Sequence, residues 1–357
     1  MTDGLSRMDR FWMKFPVESG MVLSWQARTF LLVVLTFLIW PLPYRLAQAE
    51  PTGCISWDPA PNVIIAAVPM IDFQGNVTGI TIPLKRAGRL FFMEGTVNGI
   101  PGNFILDTGA SNLVLNKTYF RNSIETEQEE GGGVTGAIGP IGKLQVKKIV
   151  ISDLIYQNVP ADVVPLGHLE NRRGIKILGL FGMNLLQKTE IVLDLLHNQL
   201  QIHKLDRNGE RLTKSGTQER YDIRHKISIN RNVLFLVANV AGKSLDFCLD
   251  TGAESNLLHS GIPKQAMGAV SITRRSTLRG ASSSHGELLM GSIADFSLGN
   301  RQIGPMETAV CNLSAMSEKY GYDIDGMLGY DFFMKGKVSL NLVKKEIAIA
   351  IYQEEKP

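Results

Sequence analysis

The chain has 357 residues, 44% hydrophobic and 20% charged, an ordinary globular composition at a length that calls for more than one domain. Its net charge of +3, from 37 basic and 34 acidic residues, is too balanced to point to nucleic acid, and no basic run carries interleaved aromatics. Three cysteines, Cys54, Cys248 and Cys311, do not make a disulfide framework; one pair could form in an oxidising compartment, and the sequence leaves open which.

The first element in chain order is an apolar run, FLLVVLTFLIWPLPY at 30–44, which follows Arg28 and leads to Ala47-Gln48-Ala49. It is short for a membrane span. A basic flank, a short apolar core and an A-x-A site predict a secretory signal peptide over 1–49; Met21 is an alternative start, because the stretch before the run is long for a signal. The chain is therefore expected to be exported, periplasmic or secreted. The alternative is an uncleaved anchor that attaches it to a membrane with its domains outside the cytoplasm. Residues 50–79 read as an N-terminal extension without a counterpart elsewhere in the chain.

Next comes FILDTGASNLVLN at 104–116, in which an apolar run ends on the carboxylate of Asp107. A charge in that place costs free energy unless it is hydrogen-bonded or keeps access to water. The same arrangement returns in FCLDTGAESNLLH at 247–259, an offset of 143 residues, with Asp250 as its carboxylate. The echo is long. RLFFMEGTVNGIPGNFILDTGAS at 89–111 aligns without gaps on NVLFLVANVAGKSLDFCLDTGAE at 232–254, and GLFGMNLLQKTEIVLDLLHNQLQI at 179–202 aligns on GMLGYDFFMKGKVSLNLVKKEIAI at 326–349. Repetition at this period indicates a duplicated domain rather than a solenoid of short units. The copies span 80–205 and 222–357, and the polar, aperiodic stretch 206–221 links them.

Each copy reads as β. Short runs rich in strand-forming residues, such as LFFMEGTVN, NFILDTG and VSLNL, are bounded by Gly, Asn and Pro. A closing hairpin is predicted in each copy, turning at His197-Asn198 and at Lys344-Lys345. Short helices are expected only at MNLLQK and YDFFMK, after Gly182 and Gly329. Cys248 aligns with Ile105 and reads as a buried apolar thiol.

LDTGA followed by LFGMNLL, and LDTGA followed by MLGYDFF, resemble the paired signature segments of the retropepsin-like aspartic proteases. The resemblance covers both copies and implies an all-β fold: duplicated barrel-like domains related by a pseudo-two-fold axis, with the active site at their seam. Asp107 and Asp250 would then face each other and share one proton, since two carboxylates in contact cannot both ionise easily. One would take a proton from water while the other polarises the scissile carbonyl. The resemblance implies that Thr108 and Thr251 hydrogen-bond across the seam, and that Gly109 and Gly252 let backbone N–H groups approach the carboxylates. Ala110 and Ala253 stand where pepsin-like members carry Ser or Thr. Losing that hydroxyl should raise the dyad's pKa, and the implied activity is mildly acidic to neutral. Gly182 with Asn184, and Gly329 with Asp331, belong to the second signature segment of each copy.

The same resemblance places a glycine-rich flap between the signature segments of each copy. Gly133, Thr135 and Gly136 are the candidates in the first, and Gly280, Ser282 and Ser283 in the second; the plain reading of both stretches is a surface hairpin. The tyrosine of pepsin-like flaps is missing from both. Gly131, Gly133 and Gly136 also spell G-x-G-x-x-G, but no apolar strand precedes them and Pro140 follows, so a dinucleotide site is rejected. The six histidines show no zinc-ligand spacing. The expected partner is a protein or peptide substrate, with no nucleic acid, no metal and no cofactor. Two copies paired within a monomer are preferred to pairing between chains. The rival reading is a catalytically silent peptide-binding or scaffold module of the same fold.

Overall fold

The computed structural model describes residues 71–73, 77–133, 136–213, 219–279 and 285–353. The leader read at 1–49, most of the extension at 50–79 and Cys54 lie outside the described residues. Among the described residues the strands form three sheets: one of nine strands built by the first copy, one of ten built by the second, and one of six shared by both. No described helix is long and apolar enough to cross a membrane.

The two larger sheets follow one plan. Leu90–Val97 turns tightly through Asn98 and Gly99 into Ile100–Leu106, and Val233–Val240 turns through Ala241 and Gly242 into Lys243–Leu249. All four turn residues have positive φ, from 48° to 85°, so both hairpins carry the mirror-image turn whose twist suits antiparallel strands. The second strand of each hairpin delivers an aspartate and pairs in parallel with a strand from later in the copy, Ile177–Phe181 or Gly326–Leu328. That later strand also pairs antiparallel with the segment just after the aspartate, Leu113–Asn116 or Asn256–His259. Glycine is required where these chains cross: a Cβ on Gly179 would lie 1.9 Å from the carbonyl oxygen of Val114, and one on Gly326 2.6 Å from that of Leu257.

The six-stranded sheet joins the copies. At its centre Thr189–Asp194 pairs antiparallel with Gly336–Asn341, one strand from each copy, with Ile191 opposite Leu340. Each continues into the closing hairpin expected from the sequence, with Asn198 and Lys345 at φ 53° and 51° in the turns. The edges are Gly79–Pro83 and Ile223–Lys226, the first strand of each copy's share. The alternating apolar residues Ile191, Leu193, Leu200, Ile202, Val338, Leu340, Ile347 and Ile349 are buried, so this sheet is a continuous apolar support beneath the seam. The described part of the 206–221 stretch crosses to it, where Arg211 forms a forked pair with Glu190 at 2.6 and 3.1 Å.

Three helices correct the expectation of helix only after Gly182 and Gly329. Gly167–Arg173, Lys264–Met267 and Ser314–Tyr320 are helical, as are the expected one-turn segments Met183–Leu185 (a 3-10 turn) and Tyr330–Phe333. At seven residues or fewer they present no repeating apolar stripe: Leu169 is the only buried residue of the first. Gly167–Arg173 and Ser314–Tyr320 each stop at a left-handed glycine, Gly174 and Gly321. Part of the extension also joins the fold, since Ile71–Phe73 pairs with the strand Leu154–Val164. Cys248 and Cys311 are buried free thiols, which excludes a bridge between them.

Candidate active site

The structure brings the two D-T-G loops together through four reciprocal hydrogen bonds. Thr108 Oγ1 donates to the carbonyl of Leu249 at 2.9 Å and accepts from the backbone N–H of Thr251 at 3.0 Å. Thr251 Oγ1 donates to the carbonyl of Leu106 at 2.8 Å and accepts from the N–H of Thr108 at 3.1 Å. Each hydroxyl uses its proton and a lone pair, so valine, of nearly the same shape, would lose both bonds. The N–H of Asp107 donates to Phe181 at 3.2 Å and that of Asp250 to Leu328 at 2.9 Å, tying each loop to the crossing strand behind it.

Asp107 and Asp250 are buried, with 1% and 0% exposure. Asp107 Oδ1 accepts the N–H groups of Gly109 at 2.9 Å and Ala110 at 3.0 Å, and Asp250 Oδ1 accepts that of Gly252 at 2.8 Å. The glycines permit the approach between copies: a Cβ on Gly252 would lie 2.8 Å from Asp107 Cγ. Oδ2 of each aspartate is buried, and among the described residues no donor reaches it. The two carboxyl groups stand on adjoining loops, and each perturbs the ionisation of the other. A proton held between them would satisfy oxygens that otherwise carry the cost of buried, unmade bonds.

The electrostatics agree with the geometry. Burial pushes Asp107 up to about 6, against the lowering effect of its hydrogen bonds. Burial, and then the charge of Asp107, hold Asp250 well above the usual carboxylate range. Such a pair can present a proton donor and a proton acceptor to the same small volume at one pH.

The second signature segments buttress these loops. Met183 N–H donates to the carbonyl of Ala110 and Tyr330 N–H to that of Ala253, both at 2.9 Å. Gly182 and Gly329 make this possible, because a Cβ on either would meet the carbonyl oxygens of Ala110 or Ala253 at 2.8 or 2.6 Å. Asn184 donates its backbone N–H to the carbonyl of Ser111 at 3.0 Å, and Asp331 pairs with Arg89.

Hairpins occupy both stretches where the resemblance implies flaps. Ile124–Gly133 pairs with Gly136–Ile151, Gly133 standing opposite Gly136, and Val270–Arg279 pairs with His285–Ile293. Thr135, Gly280, Ser282 and Ser283 lie outside the described residues. The roots of these hairpins pack beside the dyad loops: Ile141 shares an apolar cluster with Ile105 and Ala110, and Leu288 and Met290 share one with Cys248 and Ala253. Among the described residues there is no group of three or more His, Cys, Asp or Glu side chains that could hold a metal ion.

Reading the sequence missed Arg89, Arg173 and Asn232, which hold the dyad loops from the opposite copy, and Glu254, which the two arginines hold. Arg89 Nη1 reaches the carbonyl of Glu254 at 3.3 Å and Asp331 Oδ2 at 2.8 Å, and Arg173 pairs with the Glu254 carboxylate. Asn232 Nδ2 reaches the carbonyl of Ser111 at 3.4 Å. The available signal was the mismatch of charge at aligned positions, Arg89 against Asn232 and Ser111 against Glu254.

Residues 93–185 match the model of a family described as aspartyl protease. That segment holds Asp107, Thr108, Gly109, Gly182 and Asn184. Among solved structures, the chain matches a retropepsin-like aspartic protease from Rickettsia conorii with 21% identity and a TM-score of 0.27, over 38% of this chain and 95% of that one. No curated protein matches the chain.

Proposed function

We propose that this chain, all-β and retropepsin-like in fold, is an aspartic endopeptidase that hydrolyses peptide bonds with a water activated between Asp107 and Asp250. The observation that carries the reading is the pair of buried carboxylates held at the seam by the reciprocal threonine bonds, each with one oxygen that no described donor reaches. The ionised member takes a proton from water as the oxygen attacks the scissile carbonyl carbon. The protonated member gives its proton to the carbonyl oxygen, so the tetrahedral diol forms without net charge. Collapse of the diol passes a proton to nitrogen, breaks the C–N bond and frees the amine, and the pair returns to its singly protonated state.

Both carboxylates are buried, so a path to them must open before a peptide can react. The apolar run at 30–44 with its Ala-Gln-Ala site supports export of this activity, and N-terminal sequencing of exported material should begin near Glu50. Recovery of an intact N-terminus in the membrane fraction supports an anchor instead.

The test is incubation of the purified exported chain with a peptide library, with and without a statine-type inhibitor whose hydroxyl mimics the diol. Cleavage that the inhibitor abolishes supports the proposal. Peptide binding without cleavage, under conditions where the fold is intact, identifies a binding module and overturns it.

A further inference from the structure

The two dyad loops are held from the opposite copy by equivalent bonds of unequal chemistry. Each uses the side chain aligned at the start of the first hairpin and the carbonyl of the fourth residue after the aspartate: Asn232 to Ser111 at 3.4 Å, and Arg89 to Glu254 at 3.3 Å. The Ser111 side is neutral, with Gln187 steadying Asn232 at 3.1 Å. The Glu254 side is ionic. Arg89 also meets Asp331 at 2.8 Å and Glu307 at 2.6 Å, and Arg173 meets the Glu254 carboxylate, with side chains only 13% and 10% exposed.

The helix that supplies Arg173 has a counterpart of equal length in the second copy, and the two end on different side chains. Gly167–Arg173 ends on the arginine that crosses the seam, whereas Ser314–Tyr320 ends on a tyrosine turned inward, its ring edge-on to Phe235 at 5.5 Å and its hydroxyl 3.7 Å from Cys248 Sγ. The charges therefore belong to one side of the pseudo-two-fold axis only. A buried ion pair adds little net stability over a well-packed apolar substitute, but losing one partner leaves the other charge buried and unpaired, so the pair holds its two segments together.

We propose that Arg173, with Arg89, is a positioning residue of the proposed reaction. Both arginines come from the first copy and clamp the loop of the second copy at Glu254, four residues beyond Asp250, so that the placement of Asp250 depends on them. This rests on the aspartic-protease reading, but the clamp itself can be tested separately from it.

The experiment uses the full chain with Arg173→Glu, Glu254→Arg and the exchanged pair R173E/E254R, measured by thermal unfolding and by steady-state peptide cleavage. Each single reversal leaves a buried charge facing its like, and the melting temperature is expected to fall by on the order of 10 °C. With the loop displaced, kcat should fall by about tenfold or more while KM changes little. The exchanged pair should recover part of both losses, because Arg89 and Arg172 still face position 254. An exchanged pair no better than the worse single variant, or single variants equal to wild type, overturns the clamp. Where a reversal prevents folding, Arg173→Gln and Glu254→Gln replace it, and the pair is expected to lose clearly less than the sum of the two. If the wild-type chain cleaves no peptide, the protease reading falls, and the unfolding cycle still decides whether the pair clamps the loop.

Discussion

Replacing Asp107 with asparagine removes one of two carboxyl groups that the fold buries against each other, and its effect on stability follows from the shift at that group. Burial raises Asp107 from its ordinary 3.8 to about 6. A carboxyl whose folded value lies above its unfolded value keeps a proton that the unfolded chain gives up. Its contribution to stability is complete below about pH 4 and is lost as pH rises through about 6. Two units at about 1.4 kcal/mol each make that loss about 3 kcal/mol at pH 7. Asparagine has nearly the same shape: its Oδ1 can accept the N–H groups of Gly109 and Ala110, and its amide can donate toward Asp250. It does not ionise, and it also removes the like charge that raises Asp250. At about 2–4 °C per kcal/mol for a protein of this size, D107N should melt on the order of 5–10 °C above wild type at pH 7. The two should melt together at pH 4. Calorimetry on both proteins at pH 4, 5.5 and 7, at one ionic strength, provides the comparison. A gain that is absent at pH 7, or as large at pH 4 as at pH 7, refutes the assignment of a buried, proton-sharing carboxyl to Asp107.

Three further outcomes follow from the same geometry. Thr251→Val deprives the N–H of Thr108 and the carbonyl of Leu106 of their partner, and should cost about 2–4 kcal/mol of stability by denaturant titration; a loss below about 0.5 kcal/mol contradicts the reciprocal bonding. Gly252→Ala places a methyl group 3.0 Å from both oxygens of Asp107, and cleavage should fall about a hundredfold or more while far-UV circular dichroism stays unchanged. Ala110→Ser together with Ala253→Ser adds a hydroxyl beside each carboxylate. Because a hydrogen bond to the ionised form lowers a carboxyl pKa, the pH–rate profile should move down by roughly half a unit to one unit, and an unchanged or alkaline-shifted profile counts against this role for the alanines.

Much of the fold was legible because the chain states it twice. A lone D-T-G turn is ambiguous, but Asp107 and Asp250 at one offset, each preceded by a strand pattern and followed by a matched glycine segment, predict the duplication, the closing hairpins and the all-β class. The helices Gly167–Arg173, Lys264–Met267 and Ser314–Tyr320 were not legible, since each is too short to show an apolar period and buries only a few residues, such as Leu169 and Ala266. The joining of Ile71–Phe73 to the first copy's sheet was hidden for a different reason: strand addition depends on a partner edge more than eighty positions away, and nothing in three residues announces it. The arginine clamp was hidden because aligning the copies draws attention to what they share. Arg89, Arg173 and Glu254 stand where the copies differ, and only the fold shows that these differences meet at one place.

The central claim is that two carboxylates act as one unit, and cleavage of a single peptide by wild type, Asp107→Asn, Asp250→Asn and the double variant tests it most directly. Neither an amide nor a lone carboxyl can both accept and donate the proton that the reaction needs. Each single variant should therefore lose essentially all turnover, and the double variant should be hardly worse than either. Substantial cleavage in either single variant, or losses that multiply in the double, would contradict a shared dyad at the seam.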